Sequence, residues 1–320
     1  MPPKTMKGIA QRPDLVFDIE TIPDAALCRK VYGTPDMSND EAVAAALKAL
    51  HREEKGMLPE AYHKPIVIAA CLIDYAANTV EPLLFIEGRP RSPDEESLLR
   101  LFWETVVPKK GGRSPRLVSF NGKSFDMRVM ETRSLQYESL ACPAYFQPTD
   151  KFDTYRHKFS DDEHLDLVEF IPNYGSKAGF SLRTIAALIG LPGKDQMDGA
   201  QVYPAYREGR IMEIAAYCLE DVIQTALIKM RLDRLRGILA QKELHRRIAW
   251  FLDTVEAYLV ESVLPAEPAF SHTLQEIRKR YRPALIADAA SAQQSSSKTP
   301  ASPAECTTDE RNQTAFPFGE

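Results

Sequence analysis

Two acids set in the middle of an apolar run constrain this chain more than any other feature of its 320 residues. The run is Leu15-Val16-Phe17-Asp18-Ile19-Glu20-Thr21-Ile22, closed by Pro23 and Asp24, and its strand-forming residues read as a buried strand. Side chains alternate across a strand, so Asp18 and Glu20 share one face while Phe17 and Ile19 take the other. Neighbouring carboxylates raise each other's pKa, and burial adds a desolvation cost, so the pair needs a cation. A divalent metal is the simplest one. The alternative is a strand that ends at Phe17, with the acids decorating a loop mouth. Carboxylates elsewhere in the chain must decide between the two.

The chain downstream supplies elements that could carry them. Ser38-Asn39-Asp40-Glu41 followed by 42–50 predicts a capped helix on an insertion that ends at Lys64-Pro65. Ile66 to Ile73 and Val80 to Ile86 predict two antiparallel strands beside the first. Ser92-Pro93-Asp94-Glu95 predicts an N-cap at Ser92 and a helix with Leu98, Leu99, Phe102 and Val106 inward. Arg116 to Phe120 reads as a short strand, Asn121-Gly122-Lys123-Ser124 as a turn, and a helix follows from Phe125 or Asp126. That order puts Asn121 and Asp126 at the carboxyl end of a strand, where open α/β sheets bind ligands. The segments 152–157 and 164–170 are ambiguous. Ser181 opens a helix closed by Gly190 and Pro192, 193–199 reads as an exposed loop, and from Met212 helical spacing runs on, with a break near Gly237, toward Phe251. Past Pro268, 274–282 is basic and amphipathic, and 291–303 turns to Ser, Gln, Pro and Ala, a composition expected to stay disordered.

Composition narrows the classes. With 44% hydrophobic and 27% charged residues, the chain suits a globular domain of 200 or more residues with appendages. Residues 1–11 carry no apolar signal-type core, and no uncharged run is long enough for a bilayer, so a cytoplasmic protein with no membrane partner is expected. Five scattered cysteines form no Cys-x-x-Cys pair, which argues against a zinc ribbon or a disulfide framework. A formal charge of -5 gives no whole-molecule attraction to nucleic acid, so such binding would rest on local basic patches.

Asp18 and Glu20 on the strand, Asp126 opening a helix and Asp221 on the long helix are four carboxylates that could meet at one sheet edge. Tyr217 precedes Asp221 by four residues, one turn away on the same helix face. Three motifs in order, Phe17-Asp18-Ile19-Glu20-Thr21, then Phe120-Asn121-Gly122-Lys123-Ser124-Phe125-Asp126, then Tyr217-Cys218-Leu219-Glu220-Asp221, resemble those of stand-alone 3'-5' exonucleases. These are relatives of the proofreading domain of family B DNA polymerases, in the tyrosine-bearing (DEDDy) branch of the four-carboxylate superfamily. The resemblance continues through His164-Leu165-Asp166-Leu167 and Leu191-Pro192-Gly193-Lys194. The histidine branch carries its His five positions before the last Asp, where this chain has Ala216.

The resemblance implies an α/β fold of ribonuclease H-like type, a mixed β-sheet flanked by α-helices. It covers 14–252, leaving 1–13 as an N-terminal tail, 253–284 as a helical extension and 285–320 as a disordered tail. It implies hydrolysis of phosphodiester bonds at the 3' end of a single strand, DNA more than RNA, by two divalent cations, Mg²⁺ or Mn²⁺. Such ions sit about 3.5 to 4 Å apart and neutralise the attacking and leaving oxygens. They prefer oxygen ligands, which explains carboxylates in place of Cys or His. By resemblance Asp18 bridges both ions, Glu20 and Asp221 complete the shells, Asp126 binds partly through water, and Tyr217 positions the attacking water. Thr21, Asn121, Lys123 and Phe125 are candidates for holding the substrate. The echo of an aspartyl-phosphate phosphatase in Asp-x-Glu-Thr lacks the second Asp that chemistry wants and offers Tyr217 no role. The remaining alternative is a non-catalytic nucleic-acid-binding or scaffold protein on the same fold. Finally, Gln313-Thr314-Ala315-Phe316-Pro317-Phe318 resembles the short peptides with which DNA-processing enzymes bind the bacterial sliding clamp, with Phe316 in place of the usual Leu.

Overall fold

The computed structural model describes residues 12–107, 114–147, 154–191, 197–268 and 270–281. The tail motif Gln313 to Phe318 and the residues 192–196 lie outside them.

β1 (Asp14–Pro23) is the centre of a five-stranded sheet of order β3-β2-β1-β4-β5. β2 (His63–Asp74) runs antiparallel to β1, and β3 (Thr79–Ile86) runs antiparallel to β2. β4 (Arg116–Ser119) is parallel to β1 and β5 (His164–Asp166) is parallel to β4. The expected mixed sheet of a ribonuclease H-like fold is therefore present. The pleat of β1 divides the molecule: Leu15, Phe17 and Ile19 enter one core, and Val16 and Ile22 enter the other. β2 is apolar on both faces, as a strand covered on both sides must be.

Helices α1 (Ala25–Tyr32) and α2 (Asn39–Ala49) close a small satellite core around Cys28, Ala42, Ala46 and Leu58. The capping box predicted at Ser38 and Glu41 is present. α3 (Glu95–Val106), α4 (Asp126–Ser134) and the single turn α5 (Pro143–Phe146) cover the Phe17 face of the sheet. After β5 come α6 (Leu167–Phe170), α7 (Leu182–Leu188), α8 (Gly199–Arg207), α9 (Ile211–Leu235) and α10 (Gln241–Tyr258). The last four, with a helix α11 over 270–281, pack on the Val16 face.

Several boundaries differ from the expectation. α3 is capped by Asp94, whose carboxylate accepts from the backbone N–H of Ser97, while the Ser92 hydroxyl donates to the carbonyl of Ile86. Asp94 simply offers the better-placed oxygen. The segment after Pro23, for which the sequence predicts no element, is a helix capped by Asp24. Gly199 opens α8 instead of closing a loop; Gly and Pro204 mask the helix in sequence, but Asp198 and Gln201 form a capping box around its start. The break at Gly237 is present, with φ at +75° between α9 and α10.

Candidate active site

The site is assembled where β1, the turn after β4, and α9 meet. Val16 and Ile22 flank Asp18 and Glu20 on the same strand face and lie in the α9 core, so the two acids point toward that helix. Opposite them stands Cys218, whose Sγ is 3.4 Å from the Asp18 carbonyl oxygen and 3.7 Å from its Oδ2. Potential ligand atoms of Asp18, Glu20 and Cys218 all lie within 4.8 Å of one another. Burial, then the fields of Asp18, Glu20 and Asp221 in that order, push the Cys218 thiol well up. It is a protonated thiol among carboxylates.

α9 is held at this register by charge. At the far end of β1, Lys229 Nζ lies 2.5 Å from Asp14 Oδ2 and 2.5 Å from Asp233 Oδ2, and Arg116 of β4 binds Asp14 Oδ1 at 2.7 Å. The helix rises about 16 Å over the eleven residues from Cys218 to Lys229. The strand spans about 13 Å over the four from Asp14 to Asp18. An antiparallel α9 anchored at Asp14 thus brings Cys218 and Asp221 beside Asp18 and Glu20.

Asp126 arrives from the other face. The turn before it is forced by Asn121, at φ +74° in a conformation Asn tolerates, and by Gly122, where a Cβ would fall 2.5 Å from Ser119 Oγ. Asp166, at the end of β5, accepts the backbone N–H of Asn121 at 2.8 Å and of Lys123 at 3.0 Å. α4 then begins at Asp126, whose Oδ1 accepts from the backbone N–H of Ile19 at 3.2 Å, between Asp18 and Glu20 in the chain. Arg133 at the other end of α4 grips Glu95 of α3 in a fork, at 2.5 and 2.7 Å, and Asp24 at 2.5 Å. Burial, then nearby Asp166 and Asp221, push the Asp126 carboxyl up to about 7.

Glu20, Asp126 and Asp221 are 8%, 6% and 3% exposed. Carboxylates so deeply placed, and within one another's fields, are the donor set that suits a hard divalent cation. The tightest group contains Asp18 and Glu20 with Cys218 and not Asp126 or Asp221. Asp221 joins through its field on Cys218 and Asp126. Tyr217 is buried on α9, one turn before Asp221.

The substrate candidates divide. The β1–β2 register shifts between Glu20 and Thr21, and Thr21 Oγ1 lies 2.9 Å from His63 Nδ1. His63 Nε2 is 3.1 Å from the Leu58 carbonyl, which can only accept, and burial lowers the imidazole pKa. Nε2 therefore carries the proton, and Thr21 donates to Nδ1, leaving its oxygen able to accept. The rings of His63 and Phe125 also meet nearly at right angles, with centroids 5.1 Å apart. Thr21 and Phe125 are thus brought together. Lys123 is engaged elsewhere: its ammonium donates to the Lys158 carbonyl at 2.9 Å and lies 3.7 Å from Asp161. Sequence reasoning left unassigned Cys218, His63 and the bracing role of Asp166. The first follows from its place beside Tyr217 and facing β1; nothing local in the sequence marks the other two.

A comparison with curated proteins finds no match. The family described as "Predicted 3'-5' exonuclease related to the exonuclease domain of PolB" matches residues 55–265. The matched stretch includes the turn at Asn121 to Asp126 and the Tyr217 to Asp221 motif and begins downstream of Asp18 and Glu20, which the fold brings to the same place. Spanning well over half of the chain, the match shows that this protein belongs to that family of predicted 3'-5' exonucleases.

Proposed function

We propose that the protein is a metal-dependent 3'-5' exonuclease that hydrolyses the terminal phosphodiester bond of single-stranded nucleic acid, DNA in preference to RNA. The observation that supports this reading is the pair Asp18 and Glu20 gathered beside Cys218, with Asp221 near enough to act on that thiol and Asp126 tied to the same strand through Ile19. Asp18, Glu20 and Asp221 would hold divalent cations, Mg²⁺ or Mn²⁺, and Asp126 would hold their outer ligands. Two such ions, when bound, supply charge neutralisation at the attacking and leaving oxygens and acidify water.

The chain's own residues do the positioning. Thr21, with its hydroxyl donated to His63, offers an acceptor for the terminal 3'-hydroxyl. Phe125, packed against the same imidazole, gives the terminal base an apolar face. Asn121, on the braced turn, supplies a polar side chain at the same strand end. The Tyr217 hydroxyl orients the attacking water. A phenol is a poor base at neutral pH, so its part is orientation. Water oxygen bonds to phosphorus and the bond to the departing 3'-oxygen breaks. The products are a nucleoside 5'-monophosphate and a strand with a new 3'-hydroxyl.

A 5'-labelled oligodeoxynucleotide tests this. The expected result is a ladder shortened one nucleotide at a time from the 3' end with Mg²⁺ or Mn²⁺, abolished by EDTA and by Asp18→Ala or Asp221→Ala. Binding without release would favour a non-catalytic nucleic-acid-binding protein; full activity in EDTA would end the metal-dependent reading.

A further inference from the structure

A cavity of about 560 Å³ opens beside α4, reaching the turn that precedes Asp126. Ser124 from the turn before Asp126, and Met127, Arg128 and Glu131 from α4, form one wall. Tyr145 and Tyr155, stacked with centroids 5.4 Å apart, are part of its lining. Five cationic side chains, Lys123, Arg128, Arg156, Lys158 and Lys177, meet two carboxylates there, Glu131 and Glu169. This local excess of positive charge stands out on a chain of net charge -5.

We infer that this cleft binds the phosphodiester backbone of the single strand upstream of its terminal nucleotide. The inference rests on the exonuclease reading for the strand's polarity but not for its binding. The chemistry of the lining fits a polyanion that threads past α4 toward Asp126. Arg156 pairs with Glu131 at 3.2 Å and Lys177 with Glu169 at 3.2 Å, but the two cations are 55% and 40% exposed. A pair as exposed as Arg156 with Glu131 contributes little, so a phosphate can displace it, while Lys177 stays with the nearly buried Glu169 and still presents its exposed side to the cleft. Arg128 is more exposed still, 3.9 Å from Glu60. Lys177 links the cleft to the catalytic turn, donating to Ser124 Oγ at 2.9 Å and reaching Asn121 Oδ1 at 3.5 Å. Next in sequence to the lining residue Lys158, whose ammonium lies over its ring, Phe159 is 59% exposed and packs at a steep angle against Tyr174. An aromatic face next to a basic groove is how single strands are held without reading sequence.

Fluorescence anisotropy of a labelled 16-nucleotide strand, in EDTA so that no hydrolysis intervenes, tests the cleft. Arg128→Gln, Arg156→Gln and Lys158→Gln combined should weaken binding at least tenfold. The slope of log K against log salt should become shallower by about 0.7 for each phosphate that is no longer neutralised. The weakening should be equal for oligodeoxynucleotide and oligoribonucleotide of one sequence, since the cations meet phosphate. Hydrolysis of the p-nitrophenyl ester of thymidine 5'-monophosphate, which has no upstream strand, reads the carboxylate site separately. A wild-type protein that binds the strand through these cations without hydrolysing either substrate would sustain the cleft and sink the exonuclease reading. Unchanged affinity and salt slope in the triple variant would overturn the cleft and leave the exonuclease reading standing.

Discussion

Asp126 carries two duties that pull in opposite directions. It accepts the Ile19 N–H that ties α4 to β1, and its burial, with neighbouring Asp166 and Asp221 adding to it, raises its pKa to about 7. A raised carboxyl pKa in the folded state means that stability present below about pH 4 is lost as pH rises toward 7. In EDTA, Asp126→Asn keeps an acceptor and removes the charge. It should therefore be more stable than the wild type at pH 8, by on the order of 1 kcal/mol or more, with the difference shrinking as pH falls toward 4. Urea midpoints at the two pH values check this; a variant less stable at pH 8 would contradict it. Tyr217 makes the complementary case. Tyr217→Phe should lower kcat about 10- to 100-fold, the scale of losing orientation in a water-mediated step. The rise in Tm on adding Mn²⁺ should survive in this variant, because the hydroxyl orients water and holds no metal. A Tm response that disappears with the hydroxyl would assign Tyr217 to the metal shell.

At the scale of elements, the site depends on three placements, and only some are written locally in the sequence. β1, the β4 turn and α9 were legible because each carries its own pattern: an apolar run broken by two acids, a turn peptide, and a long helical stripe. What sets them against each other was not legible. The pairing of Asp14 with Lys229 spans residues far apart in the chain, and nothing near either residue marks it. The same holds for Asp166 under the Asn121 turn and His63 under Thr21. α8 was hidden for the opposite reason, since Gly199 and Pro204 are local signals that its capping box overrides. Two tests belong here. Gly122→Ala would put a Cβ 2.5 Å from Ser119 Oγ, in a position held by the hydrogen bond of that hydroxyl with His164. Overpacking of this kind costs about 1–3 kcal/mol, and the displaced turn should take Asp126 and most of the activity with it. Lys229→Met should destabilise by about 3–5 kcal/mol, because the buried Asp233 loses this cation and the buried Asp14 is left with Arg116 alone. The pairing also depresses the pKa of Asp14, through Arg116 and Lys229 against its burial. Its contribution is thus present above about pH 4 and fades as pH falls through the depressed value. The gap between wild type and Asp14→Asn, in denaturant midpoints, should narrow on acidification.

On the scale of the molecule, α9 is the shared wall between the catalytic point and everything packed behind it. Phe270, Leu274, Ile277 and Tyr281 of α11 are buried in the same core as the apolar face of α9. The acids Glu220 and Asp221 help raise the pKa of Tyr281, so this helix ends close to the site. At about 1.5–3 kcal/mol for each large side chain fully buried, truncation after residue 268 should cost several kcal/mol. Thermal melts should show the loss. Among the described residues no helix is long and apolar enough to cross a membrane, and the cores close on themselves around a single sheet. The proposed hydrolysis requires that the four carboxylates form one metal centre. Anomalous diffraction from crystals soaked with Mn²⁺ and thymidine 5'-monophosphate measures this directly. Manganese peaks bounded by Asp18, Glu20 and Asp221, with Asp126 in their outer shell and absent from crystals of Asp18→Ala, are the predicted result. No peak among these carboxylates, with manganese bound elsewhere or nowhere, would contradict it.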